Sequence, residues 1–372
     1  MPAARAGPAV AIKLPALTSI RAVAAWWVVL FHTREHLVPY LPRNVVGVLG
    51  SGYVGVDLFF ILSGFVIHLN YGDRLVGGGR SAYIDFLKRR FARIYPLHFA
   101  ILCAAVAYAA LIYVHSGRLT ANYNFAYLPA HFLLIQAWGI DPLLRWNDPA
   151  WSISTEALAY LLFPLIAVVA RPARWPLPAQ IAAIGALLLA LWLGLRLLGI
   201  SEIGSAVMRG GLWRCLTEFS IGAVLCAIYR QYATTVVRGV PPLLLAAATL
   251  IAGAGLALRA SDIVFVPAAF AFLVLGLAFS NARGRTLLDM PVLIYLGDIS
   301  YSTYLSHFML LVVVKNFQRP GHLIPLVQLV GYFGAVALAS VLLYKFLEIP
   351  AQRRLLDRMG LRTPKLVPVG AP

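Results

Sequence analysis

Two histidines and an arginine lie inside long apolar stretches, where an ionisable side chain is costly and is a candidate for function. Arg21 and His32 are eleven residues apart, close to three helical turns, so a helix presents both from one face about 16 Å apart. Ser300, Tyr304 and His307 share a face through their four- and three-residue spacing. Because a histidine accepts and returns a proton near neutral pH, His32 is predicted as a general base. A snorkelling arginine and a hydrogen-bonded core histidine are the structural alternatives.

Two carboxylates are candidates to work with His32. Asp57 lies roughly two turns inside the second apolar stretch, and Glu156 follows Trp151 at the start of the fourth. Either would orient His32 or line the site of a second substrate, as the acid of a catalytic triad does elsewhere. Each also has a structural explanation, because acids are favoured in the first turn of a helix and the run from Trp151 to Glu156 is typical of a capped helix start.

A basic run before the third apolar stretch contains Arg90 and Arg93, which share a helix face. Such a run is often a topology anchor or a lipid headgroup contact. Paired guanidinium groups also suit bidentate hydrogen bonds to phosphate. From the residues alone, Arg90 and Arg93 fit either role.

The composition excludes an ordinary soluble enzyme. Of 372 residues, 61% are hydrophobic and 12% charged, whereas soluble domains carry about 25% charged residues. The formal net charge of +17 indicates basic cytoplasmic loops of a membrane protein rather than binding to nucleic acid. The three cysteines are an odd number without metal-ligand spacing, so neither a disulfide framework nor a metal site is expected.

Ten stretches are long and apolar enough to cross a membrane, which takes about 20 residues each. They lie near residues 17–38, 52–70, 96–115, 153–170, 177–198, 211–229, 240–258, 262–280, 291–314 and 324–347. A weaker segment, 124–140, is interrupted by Pro129 and His131. If it does not cross, 21 of the 31 basic residues, including Arg5, Arg171, Arg283 and Arg285, collect on one side, as the positive-inside rule favours.

The predicted fold is an all-α integral membrane protein, a bundle of about ten transmembrane helices plus one re-entrant or interfacial segment, with both termini cytoplasmic. Residues 1–16 are predicted as a cytoplasmic N-terminal segment, 17–350 as one transmembrane domain and 351–372 as a basic cytoplasmic tail. No secretory signal opens the chain. These features fit a bacterial inner membrane.

Several segments, in this order, resemble the membrane-bound acyltransferase family 3, which includes O-acetylases of O-antigen and other surface polysaccharides. The resemblance covers about residues 15–355. The matching segments are Arg21 through His32, Gly55 through Phe65 around Asp57, Arg90 through Arg93, Trp151 through Glu156, Ile299 through His307, and the terminal Glu348-Ile-Pro350.

This resemblance implies an acyl-CoA donor, with acetyl-CoA preferred, and a hydroxyl acceptor, usually on a sugar. The acceptor would belong to a surface polysaccharide, a lipid-linked glycan or a glycosylated small molecule. It also implies that the Arg90 and Arg93 pair binds the donor, and these two arginines, with Arg21 beneath His32, are predicted to hold the phosphates of coenzyme A at the cytoplasmic face. Ala157, Asp298 and Ser306 depart from the family pattern, and the departures concern the acceptor more than the chemistry.

Other functions remain open from sequence. A proton-coupled transporter or polyprenol-glycan carrier would use His32, Asp57, Glu156 and His307 as a proton relay. Against it, the two halves show no inverted repeat. An inactive homologue that binds coenzyme A or lipid is a third possibility. His307 itself fits three roles: second base, relay nucleophile or hydrogen-bonded structural residue.

Overall fold

The computed structural model describes residues 10–169, 174–281, 286–318, 322–362 and 365–368. Residues 1–9 of the predicted N-terminal segment lie outside this range. So do residues 363–364 and 369–372 of the predicted tail, and the predicted cytoplasmic arginines Arg5, Arg171, Arg283 and Arg285.

The described part of the chain is built almost entirely of helices. They are α1 Pro15–Leu37, α2 Arg43–Gly50, α3 Gly55–Ser116, α4 Leu128–Phe132, α5 Ala150–Val169, α6 Leu177–Leu197, α7 Val207–Tyr232, α8 Val240–Ala257, α9 Asp262–Asn281, α10 Pro291–Asp298, α11 Ser300–Asn316, α12 Leu326–Leu343 and α13 Ile349–Arg358. Single turns of 3₁₀-helix cover Gly52–Val54, Ala121–Tyr123, Phe125–Tyr127 and Leu287–Asp289, and π-turns cover Gln136–Ile140 and Tyr344–Glu348.

Helix α3 folds back on itself at Gly79. The backbone there has φ 58° and ψ −154°, which is not helical and which a glycine adopts readily. In a straight helix Tyr71 and Phe86 would be about 22 Å apart, yet their ring centroids are 5.2 Å apart. The two predicted spans 52–70 and 96–115 are therefore the two arms of one helical hairpin.

Eight helical stretches of the described residues are long and apolar enough to span a membrane, those containing α1, α3, α5 to α9 and α12. These eight stretches differ in number from the ten predicted spans for two reasons. Two predicted spans share α3, and the predicted span 291–314 is divided at Ile299 into α10 and α11, each too short to qualify alone. The all-α membrane class is confirmed, whereas the number of ten and the side on which the termini lie stay predictions.

The segment 124–140 forms short turns. Its longest regular pieces, Leu128–Phe132 and Gln136–Ile140, have five residues each, far fewer than the roughly 20 that a crossing helix needs. The segment is held against the bundle by Ser154 Oγ, which donates to the Leu134 carbonyl at 2.8 Å.

The centre of the bundle lies where α3 and α7 cross. A methyl group in place of the Gly64 hydrogen would overlap the Phe219 carbonyl, and one at Gly222 would overlap the Ile61 carbonyl. These two glycines let the backbones approach closely, as small residues do in membrane helix packing. Helices α1, α5, α6 and α9 pack around this pair, and α11 packs against α1 and α12.

Two short strands, β1 Val10–Lys13 and β2 Lys365–Pro368, were not anticipated. They pair in parallel, with Val10 opposite Lys365. Helix α13 was also missed, because it lies in the segment predicted as a polar tail.

Candidate functional site

Three arginines from two helices line one cavity inside the bundle. Arg21 comes from α1, and Arg90 and Arg93 come from the second arm of α3. All three line both an inner part of about 110 Å³, which reaches Tyr304 of α11, and an outer part of about 470 Å³, which reaches Lys13. We call the two parts together the arginine cavity.

The arginines retain unused hydrogen-bonding capacity. The Nε atoms of Arg21 and Arg90 are buried without a partner within the described ranges. The Arg90 guanidinium lies over the rings of Tyr71 and Tyr160, 5.3 and 5.9 Å from their centroids. Stacked guanidinium groups with free N–H donors are well suited to phosphate oxygens.

Glu348 fixes the position of Arg93. Its carboxylate forms an ion pair with Arg93 Nη1 and accepts a hydrogen bond from Ser302 Oγ at 2.7 Å. Glu348 is buried, and Arg93 retains 23% of its side-chain exposure. Glu348 therefore acts as a positioning residue that leaves part of the guanidinium accessible from the cavity.

Glu156 lies in the inner part of the arginine cavity. It accepts a hydrogen bond from Ser63 Oγ. The cavity is lined by five cationic side chains, the three arginines with Lys13 and Arg353, against three carboxylates, Glu156, Asp298 and the Arg93 partner Glu348, so it carries an excess of positive charge. This balance favours an anionic ligand.

His32 of α1 and His307 of α11 meet in the interior. His32 Nδ1 is 3.2 Å from His307 Nε2, and the ring centroids are 5.1 Å apart. His32 Nδ1 also lies 2.9 Å from the Val28 carbonyl, and His307 Nδ1 lies 2.6 Å from the Tyr304 carbonyl. His307 is fully buried and His32 is half-buried. The structure thus brings together His32 and His307, the two histidines named as candidates from the sequence.

The carbonyl partners determine which nitrogens carry protons. A carbonyl oxygen only accepts, so a neutral His307 carries its proton on Nδ1 and presents a lone pair at Nε2. His32 Nδ1 then donates, because both of its neighbours are acceptors. The lone pair of neutral His32 is consequently at Nε2, which makes no hydrogen bond to any described residue. This is the arrangement of a general base whose tautomer is fixed by its surroundings.

Tyr304 connects the arginine cavity to the histidine pair. It lines the inner part of the cavity, and its ring centroid is 6.1 Å from that of His307. Its hydroxyl is held by Ser152 Oγ at 2.8 Å and by the Pro149 carbonyl at 3.2 Å. The histidine pair therefore adjoins the inner end of the arginine cavity.

Asp57 does not contact His32, contrary to the expected orienting role. Both of its oxygens are bound by Arg214 of α7, through Nε and Nη2 at 2.5 Å each. Asp57 is fully buried and Arg214 is 2% exposed. The reason is the α3–α7 crossing, which turns this face of α3 toward α7. Glu218 of α7 is also fully buried, one helical turn after Arg214.

A second cavity, of about 600 Å³, lies beside the histidine pair. It is lined by aromatic rings, by aliphatic side chains and by polar side chains that include His115 and Asp148. The rings are Tyr108, Tyr123, Trp146, Phe308 and Phe317, and the aliphatic side chains are Leu111, Ile112, Val312 and Val313. We call it the aromatic cavity. The Phe308 ring packs edge-on against His32 with a centroid distance of 5.2 Å.

Sequence reasoning missed Arg214 and Asp148. Arg214 was detectable, since a charged residue in the middle of a spanning helix is itself a signal. Asp148, which lines the aromatic cavity, lies in a loop between predicted spans and has no motif. In the described ranges, no group of three or more His, Cys, Asp or Glu side chains is placed to hold a metal ion.

Comparison with known proteins gives a consistent set of relatives. A model of the acyltransferase domain of acyltransferase family 3 matches residues 14–345. Acyltransferase MdmB of Streptomyces mycarofaciens is 31% identical over 324 residues, which cover 81% of this chain and 79% of that protein. O-acetyltransferase OatA of Staphylococcus aureus is 22% identical over 365 residues, 92% of this chain and 57% of OatA, so this chain spans little more than half of OatA. No solved structure matches.

Proposed function

The chain belongs to this acyltransferase family, and we propose that it is a membrane O-acyltransferase that moves an acyl group, preferably acetyl, from acyl-CoA to a hydroxyl of a glycan or glycosylated molecule. The family match and the apolar helices make it an integral membrane acyltransferase. The donor, the acceptor and the residue roles below are the proposal.

The arginine cavity supports acyl-CoA as the donor. Arg21 and Arg90 offer Nε–H groups without a partner among the described residues, and the three arginines together give an excess of positive charge for the phosphates of coenzyme A. Arg353 adds a cationic group at the outer part, where the charge of Lys13 is balanced by its ion pair with Asp298 at 2.8 Å. From Arg21 to His32 the helix rises about 16 Å, so a donor held by its phosphates extends its thioester arm along α1 toward the histidine pair.

His32 is proposed as the general base. Its Nε2 takes the proton of the acceptor hydroxyl while the hydroxyl oxygen bonds to the thioester carbonyl carbon. As the C–S bond breaks, the imidazolium returns the proton to the leaving thiolate, which leaves as coenzyme A. His307 accepts the His32 Nδ1–H bond and stabilises the positive charge that develops on the ring. Glu156 lines the donor site beside the arginines rather than contacting His32.

The arrangement also supports an assignment of the two cavities to opposite sides of the membrane. The basic N-terminal end of α1 and the arginine cavity are assigned to the cytoplasm, where acyl-CoA is found. The aromatic cavity, beyond the histidine pair, is assigned to the acceptor. A bacterial inner membrane fits this division, with surface polysaccharide or lipid-linked glycan on the outer side.

The observation that carries the proposal is the position of His32. Its Nε2 is the unoccupied nitrogen of a histidine pair that lies between an arginine-lined cavity and an aromatic one. A proton-coupled carrier of a phosphate-linked glycan would also use buried histidines and arginines, and coenzyme A release distinguishes it from the acyltransferase.

The test is coenzyme A release from acetyl-CoA by purified protein in nanodiscs, with and without glycan acceptors. We expect acceptor-dependent release that is lost in His32→Gln. His36→Gln is the matched control, because His36 lies one turn further along α1 and its Nδ1 accepts only the Ile324 N–H at 3.3 Å. Release that is the same in His32→Gln and wild type would remove His32 from the mechanism. No release with acetyl, succinyl or longer donors would contradict the acyltransferase assignment.

A further inference from the structure

Trp146, one of the rings that line the aromatic cavity, is held in place by its neighbours. Trp146 is 3% exposed, and its indole packs edge-on against Tyr123 and Phe125 with centroid distances of 5.5 and 5.2 Å. Its backbone is held at φ 61°, a conformation that bulky residues rarely adopt, by an N–H bond to the Asn122 carbonyl at 3.1 Å. The indole Nε1 is buried and has no partner among the residues described.

Asp148 places a carboxylate among these rings. No basic side chain forms an ion pair with it, and its side chain makes no hydrogen bond, within the described part of the chain. Burial raises the pKa of the Asp148 carboxyl to about 6, although the positive charge of Lys315 acts to lower it. Keeping this carboxylate ionised at neutral pH therefore costs free energy that a bound cation would recover.

Aromatic rings beside a carboxylate without an ion-pair partner are suited to binding a cation. The face of an aromatic ring attracts a cation, and recognition of ammonium groups by several rings is a known use of this attraction. A phosphate or carboxylate ligand would instead be repelled by Asp148. A neutral sugar would use the rings but would leave the charge of Asp148 uncompensated.

We propose that the aromatic cavity binds the acyl acceptor through a protonated amine or quaternary ammonium group, held by Asp148 and the aromatic rings that line the cavity. This inference rests on the proposed function, because it takes the bound molecule to be the acyl acceptor. It adds the chemical class of that acceptor, which is a hydroxyl compound that carries a positive charge.

The position of the cavity suits such an acceptor. Phe308 lines the cavity and also contacts the His32 ring, with 5.2 Å between the ring centroids, so the cavity adjoins His32 across the Phe308 ring. The cation fixes one end of the acceptor, and the hydroxyl to be acylated lies at the other. The cavity volume of about 600 Å³ accommodates an acceptor considerably larger than a single sugar ring.

The test compares choline with 3,3-dimethyl-1-butanol, which has the same shape and hydroxyl but no charge. Calorimetric binding to the purified full chain in dodecyl maltoside is expected to show choline bound at least about tenfold more tightly, a factor that equals about 1.4 kcal/mol. In Asp148→Asn this preference should fall below about twofold, while affinity for the neutral alcohol stays unchanged. Asp148→Glu should retain it, and Lys315→Met should increase it by removing a repulsive charge.

A wild-type protein that binds both probes equally, or a preference that survives in Asp148→Asn, would overturn the proposal. Acetyl transfer to each probe is then measured separately. A charge preference without any transfer to choline leaves the cation site standing but rejects it as the acceptor site, and the proposed function is then decided by coenzyme A release with glycan acceptors. Transfer at equal efficiency to charged and neutral acceptors supports the proposed function and rejects the cation site.

Discussion

Substitution of His307 tests whether this residue only accepts the hydrogen bond from His32 or itself takes part in the chemistry as a base or nucleophile. Asparagine reproduces the position of the histidine Nδ1, so His307→Asn keeps the bond to the Tyr304 carbonyl and removes the acceptor that faces His32. Glutamine extends further and can present its amide oxygen near the position of Nε2. His307→Gln therefore keeps an acceptor for the His32 Nδ1–H and is the matched control.

The size of the effect follows from the two acceptors of His32 Nδ1. The Val28 carbonyl at 2.9 Å remains in every His307 variant and preserves the tautomer. The lost bond to His307 is worth about 0.5–1.5 kcal/mol with a neutral donor and about 1.5–3 kcal/mol with a charged one. Only the difference, about 1–1.5 kcal/mol, raises the barrier, so the kcat of His307→Asn should fall about tenfold. Loss of the general base in His32→Gln should cost a factor of about 10² to 10⁴.

The assay is steady-state transfer of radiolabelled acetyl groups from acetyl-CoA, with kcat and KM determined for both substrates. We expect His307→Gln to remain within about threefold of wild type and the KM for acetyl-CoA to be unchanged in both His307 variants. If both variants lose as much activity as His32→Gln, then His307 is itself a base or a relay nucleophile, and the deduction of proton positions is wrong.

Three further predictions concern the surrounding charges. Arg93→Ala should raise the KM for acyl-CoA and leave the KM for acceptor unchanged, and Glu348→Gln should do the same to a smaller extent, because Glu348 positions Arg93; an unchanged donor KM in both would refute the phosphate assignment. Asp57→Ala removes both hydrogen bonds of the buried Arg214 to its ion-pair partner and should cost about 3–5 kcal/mol of stability, seen as a lower Tm; normal Tm with lost activity would instead favour a catalytic Asp57. Burial raises the pKa of Asp148, so the folded protein binds more protons than the unfolded chain between pH 3.8 and about 6, and stability falls as pH rises through that window. Asp148→Asn should therefore raise the free energy of unfolding at pH 8 by at most about 3 kcal/mol, seen as a higher Tm, and should have little effect at pH 4. Equal effects at both pH values would contradict the burial of the carboxyl.

The sequence was sufficient for features that depend on spacing along one helix. The eleven-residue interval from Arg21 to His32 and the three-residue interval from Arg90 to Arg93 fix which side chains share a face, and the structure places all three arginines around one cavity. The family resemblance, which rests on the same segments, is confirmed by the match over residues 14–345.

Contacts between helices could not be derived in the same way. Asp57 was expected near His32, but the rotation of α3 against α7 directs it to Arg214, and that rotation depends on the close approach at Gly64 and Gly222. The fold-back at Gly79 was likewise unpredictable in detail, because helical hydrogen bonding continues almost to the glycine on both sides. Asp148 could not be identified as a candidate from the sequence, because only the fold places it in the lining of the aromatic cavity.

The most direct test of the central claim is a side-by-side measurement of acetyl transfer by wild type, His32→Gln and His36→Gln in nanodiscs, with folding of each verified by its Tm. The proposed mechanism predicts transfer by wild type and His36→Gln and a loss of about 10² to 10⁴ in kcat for a folded His32→Gln. Transfer by His32→Gln at the wild-type rate would contradict the claim that His32 removes the proton from the acceptor.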